Sequence, residues 1–139
     1  MKVLIIQGPN LNLTGTRETA IYGKKTLDDI HKDILEWADG RAFEIEFFQS
    51  NHEGEILDKI HDVRGKIDWL IINPGAFTHY SFAIRDAITG TEIPAIEVHL
   101  SNVFSRESFR AVSVISPVCK GSICGFGSKG YIMALTSLV

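Results

Sequence analysis

The sequence predicts one α/β domain, a doubly wound, five-stranded parallel sheet of order 2-1-3-4-5 with helices on both faces. Three observations predict this fold. Short aliphatic runs alternate with segments of helical periodicity along the whole chain. The first run is apolar throughout, as expected when helices cover both faces of a parallel sheet. The 139 residues suit a single domain of this kind, and no linker or repeat divides them.

In the first half of the chain, two predicted strands each precede a helix. The uninterrupted aliphatic run Val3–Ile6 predicts the first strand, over Lys2–Gln7. A helix follows from Thr26 to Gly40, because apolar residues recur at helical spacing and Asp29 lies three residues after Thr26, as in a capping box. Phe43–Phe48 predicts the second strand, and a further segment with apolar residues at helical spacing follows it.

The remaining elements are predicted on the same grounds, with aliphatic runs for strands and apolar periodicity for helices. In order they are a strand Ile67–Ile72, a helix from Thr78 or Ser81 to Gly90, a strand Ala95–Val98, a helical turn from Ser105, a strand Val112–Ile115 and a closing helix through Tyr131, Leu135 and Leu138. Because parallel neighbours need right-handed crossovers, this succession predicts a flavodoxin-like sheet.

The composition argues against several classes of protein. A net charge of -3 without a basic run is unlike a nucleic-acid-binding protein. No apolar stretch approaches the about 20 residues of a membrane span or the about 7–15 residues of a signal-peptide core. Cys119 and Cys124 are too few for a disulfide-stapled secreted module. We therefore expect a cytoplasmic protein that binds neither nucleic acid nor a membrane.

Polar residues follow the carboxyl ends of the predicted strands, where ligands bind in such folds. Gly8-Pro9-Asn10 follows the first strand, Asn73-Pro74-Gly75 the third, His99-Leu100-Ser101-Asn102 the fourth and Ser116-Pro117 the fifth. These groups suit a small polyhydroxylated or anionic ligand. Loops of α/β proteins are also commonly polar, so polarity alone does not establish a site.

The loop from Gly8 to Lys25 is longer than the 2–6 residues usual between a strand and a helix. We expect it to form a lid over about residues 8–25. It carries Arg17 and Tyr22, and a guanidinium beside a tyrosine favours the phenolate, which can act as a general base. The alternative is a surface loop with an ordinary tyrosine.

Glu97 and His99 lie two residues apart at the end of the fourth predicted strand. Strand alternation places both on one face, so the carboxylate can orient the imidazole. A metal site formed with His79 is an alternative that lacks further ligands nearby. The segment Gly125–Gly130 fits G-x-G-x-x-G, but no βαβ unit follows, and we expect close packing of the last strand and helix there.

Several stretches together resemble one family. In chain order they are Gly8–Leu13, Arg17-Glu18, Tyr22-Gly23, Gln49–Glu55, Asn73–His79, Ala83–Ala87, Glu97–Asn102, Phe109-Arg110 and Gly121–Gly125. The chain resembles the type II 3-dehydroquinate dehydratases from its first strand to its last helix. The resemblance implies a lyase of the shikimate pathway, without cofactor or metal, that converts 3-dehydroquinate to 3-dehydroshikimate and water. The elimination is anti and proceeds through an enolate.

The resemblance also implies catalytic roles. Tyr22, as a phenolate, takes the proton next to the ketone, and Arg17 keeps it ionised. Asn73 stabilises the enolate oxygen, which is stabilisation of transition-state charge. His99, oriented by Glu97, protonates the departing hydroxyl.

Substrate-binding roles follow from the same resemblance. Asn10 belongs to the polar centre of the site. The amides of Leu100 and Ser101, with the Ser101 hydroxyl, hold the substrate carboxylate. His79 and Arg110 bind its ring hydroxyls.

The resemblance further implies a homo-oligomer. The family forms trimers that assemble into a dodecamer, and Asp86 reaches the active site of a neighbouring subunit. Two other interpretations stay open on the residues alone: a flavodoxin-like module that binds FMN or a phosphoryl group, and a structural subunit without catalysis.

Overall fold

A computed structural model describes residues 1–139 and contains one parallel sheet with the strand order β2-β1-β3-β4-β5. The strands are β1 (Lys2–Gln7), β2 (Glu44–Gln49), β3 (Trp69–Asn73), β4 (Ala95–His99) and β5 (Gly121–Cys124). The predicted flavodoxin-like fold class and strand order are confirmed.

Five α-helices accompany the sheet: α1 (Thr19–Tyr22), α2 (Leu27–Ala38), α3 (Glu53–Asp62), α4 (Phe82–Thr91) and α5 (Lys129–Thr136). Short 3-10 helices cover Leu11–Leu13, Gly75–His79, Val103–Ser105, Ser108–Ala111 and Ser116–Val118. The predicted capping box begins α2, with both hydrogen bonds between Thr26 and Asp29 present. No helix combines the length and the apolar character needed to cross a bilayer.

The helices cover both faces of the sheet, as predicted. Leu4 and Ile6 of β1 pack toward α3 and α4, whereas Val3 and Ile5 pack toward α2 and α5. This alternation follows from the period of two along a strand, and it leaves all four side chains buried. The sheet is therefore rigid at its centre, and its carboxyl edge is a fixed platform for loops.

One predicted strand is wrong. Val112–Ile115 lies outside the sheet, and the fifth strand is Gly121–Cys124. The Ser113 hydroxyl accepts hydrogen bonds from the N–H groups of Ile115 (3.1 Å) and Ser116 (2.9 Å), and this local bonding turns the chain instead of extending it.

The glycine-rich segment Gly125–Gly130 connects β5 to α5. A Cβ on Gly130 would lie 3.1 Å from a Val98 methyl carbon and 3.6 Å from one of Ile123. The closest packing of Gly130 is therefore against β4, whereas its contact with the last strand, β5, is an ordinary van der Waals contact. The prediction that Ser116-Pro117 follows the last strand is wrong, because that position belongs to this glycine-rich loop.

Candidate active site

A cavity of about 100 Å³ opens at the carboxyl edge of the sheet, between the loops after β1, β3 and β4. Nine of the eleven residues singled out from the sequence line it: Asn10, Arg17, Tyr22, Asn73, His79, His99, Leu100, Ser101 and Arg110. Glu97 lies behind His99, and Asp86 does not contribute to the cavity.

The loops after β1 and β3 form one wall because their backbones touch. The Gly8 N–H donates to the Asn73 carbonyl at 2.8 Å. A Cβ on Gly8 would lie 2.5 Å from the Pro74 carbonyl oxygen, so only glycine allows this approach. Asn10 and Asn73 are brought to the same cavity by this contact.

The end of β2 supports the beginning of the loop that follows β1. Asn10 has a left-handed backbone (φ 68°), and its N–H donates to Oδ1 of Asn51 at 3.0 Å. The Gln49 side-chain amide donates to the same Asn51 oxygen and to the Gly8 carbonyl, each at 3.2 Å. These bonds fix the backbone of Asn10 at the cavity.

Two guanidinium groups face the ring of Tyr22 on α1. The central carbon of Arg17 lies 4.4 Å from the ring centroid, and that of Arg106 lies 5.0 Å from it. Arg106 also donates to the Ser101 hydroxyl at 3.2 Å, and its buried Nε has no partner. Tyr22 is therefore half-buried beside two positive charges.

Glu97 is fully buried and accepts three hydrogen bonds. His99 Nε2 lies 2.6 Å from Oε1, the Ser113 hydroxyl lies 2.9 Å from Oε2, and the Thr78 hydroxyl donates to Oε1. Burial raises the pKa of a carboxyl group, but the three hydrogen bonds and the charge of His99 outweigh it. The pKa of Glu97 therefore lies below its ordinary value, and its carboxylate orients the imidazole of His99.

His79 is fixed by a backbone carbonyl. Its Nδ1 lies 2.7 Å from the Val112 oxygen, and since a carbonyl only accepts, Nδ1 carries the proton. The ring also packs edge-on against Phe109, with centroids 5.5 Å apart. Nε2 is thereby left for a ligand in the cavity. Arg110 stacks on Phe109 as well and pairs with Glu107.

Asn73 has one orientation of its amide. Its oxygen accepts the Gly75 N–H at 3.1 Å, so the nitrogen is the remaining polar atom, and it donates to the Tyr131 hydroxyl at 3.3 Å. Burial raises the pKa of Tyr131 to about 12, so this hydroxyl stays neutral. The second N–H of Asn73 is left for a ligand.

The whole chain matches the family model described as dehydroquinase class II, over residues 1–139. The chain belongs to the class II dehydroquinase family. Among curated relatives, a 3-dehydroquinate dehydratase of Caldicellulosiruptor bescii is 59% identical over 138 residues, covering 99% of this chain and 95% of that protein. One of Halalkalibacterium halodurans is 53% identical over 137 residues, covering 99% and 94%.

Solved structures agree with this assignment. The type II dehydroquinase of Butyrivibrio crossotus matches with a TM-score of 0.97 and 51% identity, covering 99% of this chain and 97% of that one. The enzyme of Propionibacterium acnes matches with a TM-score of 0.94 and 39% identity, covering 99% and 94%. This class II dehydroquinase chain therefore shares the fold of its family along its full length.

Some features of this class II dehydroquinase site could not be assigned from its sequence. The sequence did not predict the contacts of Arg106 with Tyr22, of Ser113 with Glu97 or of Asn51 with Asn10, because each joins residues far apart in the chain. Thr78 was considered as a possible beginning of the helix after the third strand and was given no partner. Asp86 lies on α4, beside a groove between α3 and α4.

His79, His99 and Glu97 do not form a metal-binding group, and no other set of three His, Cys, Asp or Glu side chains does so.

Proposed function

We propose that this protein is a type II 3-dehydroquinate dehydratase of the shikimate pathway, which forms 3-dehydroshikimate and water. The observation that carries the proposal is the meeting of the Arg17–Tyr22 pair with the Glu97–His99 pair at one cavity. Such an elimination needs a base, a stabiliser for enolate charge and an acid for the poor leaving group. The cavity offers a candidate for each.

Tyr22 is the base in this proposal. Its phenolate takes the proton from the carbon next to the ketone, and the C–H electron pair moves into an enolate. Arg17 and Arg106 supply positive charge beside the ring. The free N–H of Asn73 faces the developing negative charge on the enolate oxygen, directly or through an ordered water.

His99 is the acid. The enolate electrons form the carbon–carbon double bond as the carbon–oxygen bond of the leaving hydroxyl breaks on the opposite face. His99, which carries a proton on each ring nitrogen at this step, donates its Nδ1 proton to that oxygen, which departs as water, and keeps its Nε2 proton on Glu97. The proposal is supported by the Glu97 contact, because Nε2 faces the carboxylate and Nδ1 remains for the substrate. Proton exchange with solvent then restores both residues.

The substrate is held by polar groups around the same cavity. The amides of Leu100 and Ser101 and the Ser101 hydroxyl bind its carboxylate. Arg110 and Nε2 of His79 bind its ring hydroxyls. Asn10 completes the polar wall. No cofactor or metal takes part in the proposed reaction.

The proposal extends to the assembled enzyme. Residues 1–139 form a single catalytic domain, of which about residues 8–25 are the lid. The subunits form trimers that assemble into a cytoplasmic dodecamer, and Asp86 contacts the active site of a neighbouring subunit. This is supported by the position of Asp86 on α4, outside the cavity of its own chain.

An absorbance assay tests the function. Purified, chelator-treated protein is mixed with 3-dehydroquinate, and the conjugated enone of 3-dehydroshikimate is followed in the ultraviolet. We expect a rise in absorbance in proportion to enzyme concentration. Folded, assembled protein that gives no rise would overturn the proposal.

A further inference from the structure

We propose that Thr78 and Ser113 are positioning residues, which act through Glu97 to fix the ring and the proton arrangement of His99. This inference rests on the proposed dehydration, in which His99 is the acid. It assigns a function to the turn at residues 112–116, which the sequence had suggested to be a strand. Neither residue lines the cavity, so both act only through the buried carboxylate.

The hydrogen bonds of Ser113 determine the direction of its own proton. Its oxygen accepts from the N–H groups of Ile115 and Ser116, at 3.1 and 2.9 Å. A hydroxyl has two acceptor positions and one donor, so both acceptor positions are occupied. The Ser113 hydroxyl therefore acts as a donor, and the charged Glu97 oxygens Oε2 and Oε1, at 2.9 and 3.1 Å, are stronger acceptors than the neutral Thr78 hydroxyl at 2.9 Å.

Thr78 gives the second hydroxyl proton to the same carboxylate. The oxygens of Thr78 and Ser113 lie 2.9 Å apart, but Ser113 has neither a free acceptor position nor a second proton. The Thr78 hydroxyl therefore donates to Glu97 Oε1. Thr78 is itself buried and fixed to the turn, since its carbonyl accepts the Val114 N–H at 2.8 Å.

Two hydroxyl donors on Glu97 favour its carboxylate form, and its pKa lies below the ordinary value, so Glu97 only accepts hydrogen bonds. The carboxylate stays ionised, and the third group on it, His99 Nε2, must also be a donor. One proton of His99 is thus held on Nε2, and Nδ1 is the atom that carries the proton for the leaving hydroxyl. Loss of either hydroxyl would loosen this arrangement.

Two substitutions separate donation to Glu97 from support of the turn. Ser113→Ala removes one donor and also the cap on two backbone N–H groups. Thr78→Val removes the other donor and keeps the side-chain shape and the backbone bond to Val114. Thr78→Ser retains the hydroxyl. Ser116→Ala is the matched control, since Ser116 contributes only backbone groups to the turn.

The first readout is steady-state kinetics on variants with unchanged assembly and thermal midpoint. We expect Ser113→Ala and Thr78→Val each to lower kcat about tenfold with KM nearly unchanged, because the loss falls on an acid that works in the transition state. Thr78→Ser should recover most of the rate, and Ser116→Ala should match the wild type.

The second readout is the ratio of proton exchange to elimination. In deuterated water, Tyr22 can remove and return the substrate proton before the hydroxyl departs. A weakened His99 slows only the departure, so both variants should accumulate deuterium in unreacted substrate at a higher ratio than the wild type. A general structural defect would slow exchange and elimination together.

The outcomes distinguish the two proposals. A wild-type protein without dehydratase activity would contradict the proposed function. An active wild type whose Ser113→Ala and Thr78→Val variants keep normal kcat, or lose exchange and elimination equally, would overturn the positioning role.

Discussion

Several side chains around the cavity contact a neighbour that can only accept or only donate a hydrogen bond. This neighbour determines which of their atoms is the donor and which the acceptor. A backbone carbonyl fixes the proton of His79, and the Gly75 N–H fixes the amide of Asn73. Glu97 does the same for His99. Each residue therefore presents one defined atom to a ligand, and this preorganisation is what stabilisation of developing charge requires.

Arg17→Lys is the first prediction at this scale. The planar guanidinium of Arg17 lies over the Tyr22 ring, and a lysine ammonium cannot reproduce this stacking. We expect a loss of kcat of at least about tenfold in the absorbance assay. Arg41→Lys is the matched control, because Arg41 stacks on Trp37 away from the cavity, and it should leave the rate unchanged. Near-normal turnover by Arg17→Lys would contradict the role of Arg17.

The pKa of Glu97 makes a prediction about acid stability. Its pKa lies below the ordinary 4.5 in the folded state, so the unfolded chain binds the additional proton more readily. The stabilisation is complete above about pH 4.5 and is lost as the pH falls through the folded pKa. We expect the thermal midpoint of the wild type to fall more steeply between about pH 5 and pH 3 than that of Glu97→Gln. If the thermal midpoints of the two proteins fell equally with pH, Glu97 would not contribute to the pH dependence of stability.

At the scale of elements, the sequence correctly predicted most of the strands and helices, because their apolar residues recur at regular spacing. The order of strands, the capped helix α2 and the helix beginning at Ser81 follow from local patterns that the structure retains. The fifth strand was predicted at the wrong place. Val112–Ile115 has the composition of a strand, but the hydrogen bonds of the Ser113 hydroxyl hold this segment in a turn. Gly121–Cys124 forms the actual strand by pairing with β4.

The candidate site divides in the same way. Residues at strand ends and in the long loop after β1 could be predicted, because the fold brings strand ends together. Arg106 could not, since only the folded chain places it over Tyr22. Ser113 could not, because its contact with Glu97 depends on a turn that the sequence did not predict.

Gly8→Ala tests whether the contact between two loops positions the site. The added Cβ would meet the Pro74 carbonyl at 2.5 Å and push apart the loops that carry Asn10 and Asn73. We expect a loss of about 1–3 kcal/mol in the free energy of unfolding and at least about a tenfold loss of kcat. Gly54→Ala is the control, since nothing lies within 4 Å of a Cβ there and the residue belongs to α3. Equal behaviour of the two variants would contradict this account.

For the whole molecule, the surface is consistent with association between subunits. Four of the eight phenylalanines are more than half exposed, namely Phe82, Phe104, Phe109 and Phe126. A neighbouring subunit that covered these side chains would remove their apolar surface from water. Asp86 also lies beside a groove with His61 and Arg64, outside its own cavity. Both features support the proposed assembly in which one subunit completes the site of another.

Complementation between two inactive variants tests this assembly. Asp86→Ala and Tyr22→Phe should each be inactive alone. Light scattering should give the mass of twelve subunits for each variant, which shows that both still assemble. Coexpressed in one assembly, they should recover activity, because roughly a quarter of the sites then combine an intact Tyr22 with an intact neighbouring Asp86. Mixed assemblies that remain inactive would contradict a shared site, and so would a fully active Asp86→Ala.

The measurement that tests the account most directly is turnover of 3-dehydroquinate by Tyr22→Phe beside the wild type. This substitution removes one hydroxyl from the cavity and keeps the ring that faces Arg17 and Arg106. Tyr80→Phe, at an exposed tyrosine outside the cavity, is the control. The account predicts an active wild type and control, and a loss of kcat of at least about a hundredfold in Tyr22→Phe with unchanged assembly. Turnover by Tyr22→Phe at the wild-type rate would contradict it.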